Sequence, residues 1–111
     1  MDAEKLVHDL VVERMKRRLG RDYKEIRVNA SGLPDMELRS HGLTLAVVEV
    51  ETEGGVTPER AAGWAELAAK GTRLILMVPR KSKVKATELL WQKGVMDRVS
   101  VGTYEIQIDM P

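Results

Sequence analysis

The first third of the chain changes its hydrophobic period at Gly20. Before it, apolar residues recur at intervals of three or four, at Ala3, Leu6, Val7, Leu10, Val11 and Met15. This spacing brings apolar side chains to one side of a helix, so it predicts an amphipathic helix from Asp2 to Leu19. The basic residues just before Gly20 are typical of a helix C-terminus.

After Gly20 the pattern alternates, as expected for strands. Apolar and polar residues alternate in residues 24–29 (KEIRVN) and 35–40 (DMELRS), whereas residues 43–51 (LTLAVVEVE) are mostly apolar at their centre. The turn sequences ASGLP and His41–Gly42 separate the three segments. Because these connections are short, the pattern predicts a three-stranded antiparallel meander.

A second helix and a buried strand follow. Thr57 is suited to an N-cap and Pro58 to the first helical position, so we expect a helix that continues to Gly71. The apolar run RLILMV then ends at Pro79. It is too short for a helix of this kind and indicates a central strand.

The end of the chain predicts one more helix and one more strand. Ser82 can cap the helix, and we expect Val84, Leu89, Leu90 and Trp91 to face the interior. Alternation in residues 103–109 (TYEIQID) predicts a last strand, reaching Asp109, at the margin of the sheet. The resulting order, αβββαβαβ, indicates one domain of the α/β class over residues 1–111.

Composition restricts the possible functions. A net charge of +1 gives no overall attraction to nucleic acid or to anionic lipid, so such binding needs local patches. The chain has no cysteine, which excludes disulfides and thiolate sites and is typical of the cytoplasm. No apolar run approaches the roughly 20 residues of a membrane span, and the start of the chain lacks a signal-peptide pattern. We therefore expect a cytoplasmic protein without a membrane partner.

Carboxylates at the end of the third predicted strand carry the candidate chemistry. Glu49 and Glu51 project to the same side of the strand, and Asp35 on the adjoining strand can converge on them. Buried carboxylates are costly unless a cation compensates them. The cluster is either a site for a hard cation such as Mg²⁺ or a solvated strand end.

Pro34–Asp35 and Glu49-x-Glu51, on these strands of this element order, resemble the PD-(D/E)XK nuclease superfamily. The resemblance covers roughly residues 1–108. It implies a restriction endonuclease-like αβββαβ core, a mixed central sheet flanked by helices. It also implies Mg²⁺ or Mn²⁺ held by Asp35 and Glu49, with Asp35, Glu49 and Glu51 as catalytic residues that hydrolyse phosphodiester bonds in DNA. Glu51 stands where the family usually has lysine.

Three further residues are candidates through the same resemblance. Glu4 lies within the apolar arc of the first helix and matches the acidic residue that completes the metal shell in many members. His8 lies one turn on and would be an accessory residue, and Arg60 could reach a scissile phosphate. The alternatives are an exposed first helical turn for Glu4, a half-covered border residue for His8 and ordinary surface for Arg60.

Two functions therefore compete. The first is a magnesium-dependent nuclease acting on DNA. The second is a catalytically inactive nuclease-fold module that binds nucleic acid or a protein partner, and the missing lysine favours it. Because cutting two strands needs two sites, we also expect a homodimer, paired through the last strand or a helix face.

Overall fold

The computed structural model describes residues 3–29 and 33–106, and these form eight regular elements. The helices are α1 (Ala3–Leu19), α2 (Pro58–Ala69) and α3 (Lys83–Lys93). The strands are β1 (Glu25–Val28), β2 (Met36–Ser40), β3 (Leu43–Val50), β4 (Arg73–Pro79) and β5 (Val99–Tyr104). Short 3₁₀ helices cover residues 53–55, 80–82 and 96–98. The predicted order of helices and strands is confirmed.

The five strands form one mixed sheet in the order β1-β2-β3-β4-β5. The first three are antiparallel, and β3, β4 and β5 are parallel. Both His41 and Gly42 have positive φ, which is the geometry of a tight hairpin turn between β2 and β3. The α/β class and the meander are therefore confirmed.

Helices cover both faces of the sheet. The face of β3 that carries Val48 and Val50 packs with Val11 of α1. The opposite face, with Val47 of β3 and Leu74, Leu76 and Val78 of β4, packs against α2 and α3. Each face of a central strand is thus buried, which explains why β3 and β4 are so apolar.

The ends of α2 and α3 agree with the capping signals in the sequence except at Ser82, which precedes α3 but makes no side-chain capping hydrogen bond. The Thr57 side chain accepts a hydrogen bond from the backbone N–H of Arg60, and Pro58 is the first residue of α2. Gly94 ends α3 in a left-handed conformation, where glycine is favoured because it lacks a β-carbon. Among the described residues, no helix combines the length and apolar character needed to cross a membrane.

The last strand is shorter than its alternation predicts. β5 lies at the sheet edge, as expected, but it ends at Tyr104. Glu105 and Ile106 follow outside the strand, and the predicted strand residues 107–109 lie outside the described residues.

The interior face predicted for α3 was half wrong. Leu89 and Leu90 are buried as expected, but Val84 and Trp91 are 71% and 69% exposed. The helix packs through the side that carries Ala86, Leu89 and Leu90, and residues seven apart such as Val84 and Trp91 share a different side. Trp64 on α2 is the tryptophan that fills the core, at 1% exposure.

This difference between the two tryptophans predicts their effects on stability. Trp64→Ala should lower the free energy of unfolding by about 3–5 kcal/mol, because it leaves a cavity in the core. Trp91→Ala should change it by less than about 0.5 kcal/mol, because the ring is exposed. Urea unfolding followed by far-ultraviolet circular dichroism measures both. Equal decreases would show that Trp91 is buried in solution.

Candidate functional site

The candidate site lies at one end of the sheet. Because β3, β4 and β5 are parallel, their carboxyl ends meet at that end, and β2 begins there because it runs the opposite way. Met36 is paired with Val48 in this antiparallel pair, so Asp35, just before Met36, and Glu49, just after Val48, are opposite each other. Opposite residues have β-carbons roughly 4.5–5.5 Å apart and share a face. The sheet register therefore brings these two carboxylates together.

Backbone and side-chain hydrogen bonds hold the Asp35–Glu49 pair. The backbone N–H of Asp35 donates to Glu49 Oε1 at 3.1 Å, and the backbone N–H of Val50 donates to Asp35 Oδ2 at 2.7 Å. Asp35 is 7% and Glu49 3% exposed. The two carboxylates are thus held in place and are almost inaccessible to solvent.

Burial and charge together keep Glu49 protonated. Loss of solvent raises the pKa of Glu49 most, and its interaction with Asp35 and the charge of Glu51 raise it further, to about 9. At neutral pH a proton therefore occupies the pair, because two adjacent buried carboxylates repel each other when both are ionised.

His8 connects α1 to this pair. Its Nε2 lies 2.9 Å from Asp35 Oδ1, and its Nδ1 lies 3.1 Å from Asp9 Oδ1. Burial by itself lowers the pKa of His8, but the hydrogen bonds and negative charges of Asp9 and Asp35 outweigh it and raise the pKa. The imidazole thus faces a carboxylate oxygen on each side.

Glu51 belongs to a different set of contacts, with α2. Trp64 Nε1 donates to Glu51 Oε2 at 2.8 Å, and an Arg60 guanidinium nitrogen donates to Oε1 at 3.2 Å. Burial raises the pKa of Glu51, against the lowering by Trp64 and Arg60. The Glu51 side chain thus anchors α2 to the end of β3.

Glu4 contacts the loop after β3. Its Oε1 accepts hydrogen bonds from the Thr52 hydroxyl at 3.1 Å and from the backbone N–H of Gly54 at 2.8 Å. A β-carbon at Gly54 would lie 2.5 Å from that oxygen, and one at Gly55 would lie 2.5 Å from Glu51 Oε1. The two glycines, which the sequence indicates only as a turn, therefore allow two carboxylates to approach the backbone.

Tyr104 also belongs to the site, although no sequence signal points to it. Its hydroxyl donates to the backbone carbonyl of Glu51 at 2.7 Å. Burial and the charges of Glu51 and Glu4 raise the pKa of Tyr104 to about 12, so the phenol stays a donor. Tyr104 ends β5, 53 residues from Glu51, and only the parallel pairing of β3, β4 and β5 brings the two together.

The donor atoms suit a hard divalent cation. Mg²⁺ prefers oxygen ligands and usually takes only one or two carboxylates, which Asp35 and Glu49 provide. A larger set of three or more histidine, aspartate or glutamate side chains placed to hold a metal does not occur within residues 3–29 and 33–106. Asp35 and Glu49 are thus the candidate ligands at this site.

Comparison of the chain with protein-family models, with curated proteins and with solved structures finds no match. The chemistry of this site must therefore be inferred from its own geometry.

The raised pKa of Glu49 predicts how stability depends on pH. Between about pH 4.5 and 9 the folded state binds a proton that the unfolded state has released, so stability falls as pH rises. Glu49→Gln removes this titration. The stability of the variant relative to wild type should increase with pH, by up to about 1.4 kcal/mol per pH unit.

Urea unfolding across this pH range measures the difference. Glu66→Gln is the control, because Glu66 is an exposed glutamate of α2. Parallel curves for Glu49→Gln and wild type would show that Glu49 titrates normally.

The contacts of Glu51 predict that a lysine at this position destabilises the fold. Glu51→Lys removes the acceptor for Trp64 and places a second cation beside Arg60, so we expect the free energy of unfolding to fall by about 3–5 kcal/mol. Glu51→Gln keeps an acceptor oxygen for Trp64 and should be less destabilising. Thermal and urea unfolding compare the two variants, and a Glu51→Lys protein as stable as wild type would contradict the anchor role.

Proposed function

We propose that this protein is a metal-dependent nuclease of the PD-(D/E)XK type, with a restriction endonuclease-like core, which hydrolyses phosphodiester bonds in DNA. One observation carries the proposal. Asp35 and Glu49 lie opposite each other, buried, at the carboxyl end of a central strand. Such a pair costs stability, and a purely structural role gives no reason to maintain it. Perturbed carboxylates of this kind are common at catalytic sites.

Asp35 and Glu49 would hold Mg²⁺ or Mn²⁺. Glu4 contacts the loop after β3 and does not form a three-ligand group with them, so it is proposed to join the metal shell through a bound water molecule. When bound, the cation would lower the pKa of a water molecule and reduce the negative charge of the scissile phosphate. His8, at 2.9 Å from Asp35 Oδ1, fixes the orientation of that carboxylate.

Arg60 is proposed to contact the substrate phosphate. Its side chain is 63% exposed, although one of its nitrogens lies 3.2 Å from Glu51 Oε1. An exposed guanidinium can offer further N–H groups to a phosphate while it keeps this bond. In this arrangement Glu51 acts in catalysis by positioning Arg60, which supplies the positive charge that the family's lysine would bring.

The proposal includes DNA as the partner, the cytoplasm as the location and a homodimer as the assembly. The edge position of β5 supports the homodimer, because an edge strand presents unpaired backbone groups to a second copy. Light scattering at micromolar concentration tests it, since the chain has a mass of 12.4 kDa.

One observation favours the second candidate, an inactive module that keeps the nuclease fold and binds nucleic acid or a protein. Both oxygens of Glu51 accept hydrogen bonds from α2, so this residue is engaged in holding the helix. A site with Asp35 and Glu49 alone could then bind a cation without catalysing hydrolysis.

The nuclease proposal predicts metal binding that depends on Asp35. Titration calorimetry with Mn²⁺ should give a saturable heat for wild type and none for Asp35→Asn, because the amide lacks the charge of the ligand but keeps an acceptor for the N–H of Val50.

Plasmid nicking with Mg²⁺ should disappear in Glu49→Gln and persist in Glu66→Gln.

The outcomes separate the two candidates. Metal binding together with nicking supports the nuclease, and metal binding without nicking supports the inactive module. A wild-type protein that neither binds Mn²⁺ nor nicks DNA would overturn the assignment of the site.

A further inference from the structure

Two clefts meet beside the carboxylate site. The first cleft, of about 840 Å³, is lined by Glu4 and Val7 of α1, by Pro79 and by the basic residues Arg80 and Lys81 that follow β4. It adjoins the loop that follows β3, because Thr52 in its wall belongs to that loop and is hydrogen-bonded to Glu4. The described residues of its lining do not include Asp35 or Glu49.

The second cleft, of about 740 Å³, lies between α1 and β5. Arg14 and Arg18 of α1 line it, together with Met77 and Gly102. A β-carbon at Gly102 would lie 2.5 Å from the sulphur of Met77, so the absence of a side chain there lets Met77 reach the floor of the cleft.

The two clefts share part of their lining, and together they are called the trough below. Both are lined by residues 104–106, and Tyr104 is fixed between them by its hydrogen bond to the Glu51 carbonyl. The cations lie in the parts that are not shared, with Arg14 and Arg18 in one cleft and Arg80 and Lys81 in the other. The residues shared by the two clefts are thus the aromatic Tyr104, the apolar Ile106 and the acidic Glu105, with basic groups on either side of them, and Glu4 and Glu53 also line the first cleft.

We propose that this trough binds an unpaired polynucleotide strand and leads it past the carboxylate site. The inference rests on the proposed nuclease function and names its substrate class. Among nucleic acids, an unpaired strand can place its bases against apolar walls and a tyrosine ring. A duplex keeps its bases stacked inside and presents sugars and phosphates instead. Each cleft is within the range of roughly 300–1,000 Å³ that holds small organic groups, so it has room for the base and sugar of a nucleotide.

The basic residues of the trough can bind the phosphates of such a strand. Lys81 lies 2.8 Å from Glu53 and Arg80 lies 3.4 Å from Glu105, and all four side chains are at least half exposed. Exposed ion pairs contribute little to stability, so a phosphate can take the place of the carboxylate partner. Arg14 is also exposed, which makes its removal tolerable for the fold.

Fluorescence anisotropy in EDTA tests the inference without any hydrolysis. The probes are a labelled oligothymidine of about 15 nucleotides and its duplex with oligoadenosine of equal length. We expect the wild-type protein to bind the single strand at least about tenfold more tightly than the duplex. Equal or tighter binding of the duplex, or no binding of the single strand, would overturn the inference.

Paired variants locate the binding. Arg14→Ala with Arg80→Ala removes one cation from each cleft and should reduce the slope of log K against log salt by about 0.7 for each phosphate that the protein no longer neutralises. The control, Lys85→Ala with Lys93→Ala, removes two lysines of α3 that line neither cleft. Equal weakening in the control would show that the attraction is not located in the trough.

The middle of the trough has its own test. Tyr104→Phe keeps the ring and should bind the single strand like wild type, whereas Tyr104→Leu should weaken binding about fivefold or more because it removes the stacking surface. Similar affinities of the two variants for the single strand would show that the Tyr104 ring does not stack on a base.

Failure of this inference is distinguishable from failure of the nuclease proposal. Single-strand binding that depends on Arg14 and Arg80 stands even if the protein never cleaves DNA with Mg²⁺. Conversely, a protein that cleaves DNA but prefers the duplex is a nuclease without this trough function.

Discussion

The direct opposition of Asp35 and Glu49 across β2 and β3 is the constraint around which the sheet end is arranged. Met36 is paired with Val48, so the residue before Met36 and the residue after Val48 are opposite each other and point to the same face. These two residues are Asp35 and Glu49. The apolar cores on both faces hold that register, since a slip by one residue would expose Met36 and Val48 and bury their polar neighbours. The carboxylates therefore cannot separate, and one of them must carry a proton or share a cation.

The residues around the carboxylates contact them from different elements of the fold. His8 reaches Asp35 from α1, whereas Arg60 and Trp64 hold Glu51 from α2. Backbone N–H groups also take part, at Val50 for Asp35 and at Gly54 for Glu4. The acidic cluster is thus built into the fold from both faces of the sheet, in contrast to a solvated strand end.

The burial of Asp35 and Glu49 also affects how strongly the pair would attract a divalent cation. Removal from water raises the pKa of Glu49, and the same removal from water would strengthen the attraction of the pair for a divalent cation. Glu51 has a cationic neighbour in α2, where a guanidinium nitrogen of Arg60 lies 3.2 Å from Glu51 Oε1. The positive charge thus comes from a helix and the negative charge from the strand.

The sequence alone determined the order and type of the elements, because hydrophobic period, caps and turn residues are local properties. It also placed Asp35 and Glu49 on neighbouring strands of a meander. It could not determine which side of α3 is buried, and Trp91 proved exposed, because several faces of that helix carry apolar residues. Nor could it find the contacts of Arg60, Trp64 and Tyr104 with Glu51, which join residues 9, 13 and 53 positions apart. Those contacts depend on the packing of α2 and the parallel alignment of β5, and only the tertiary structure decides the distances between side chains on separate elements.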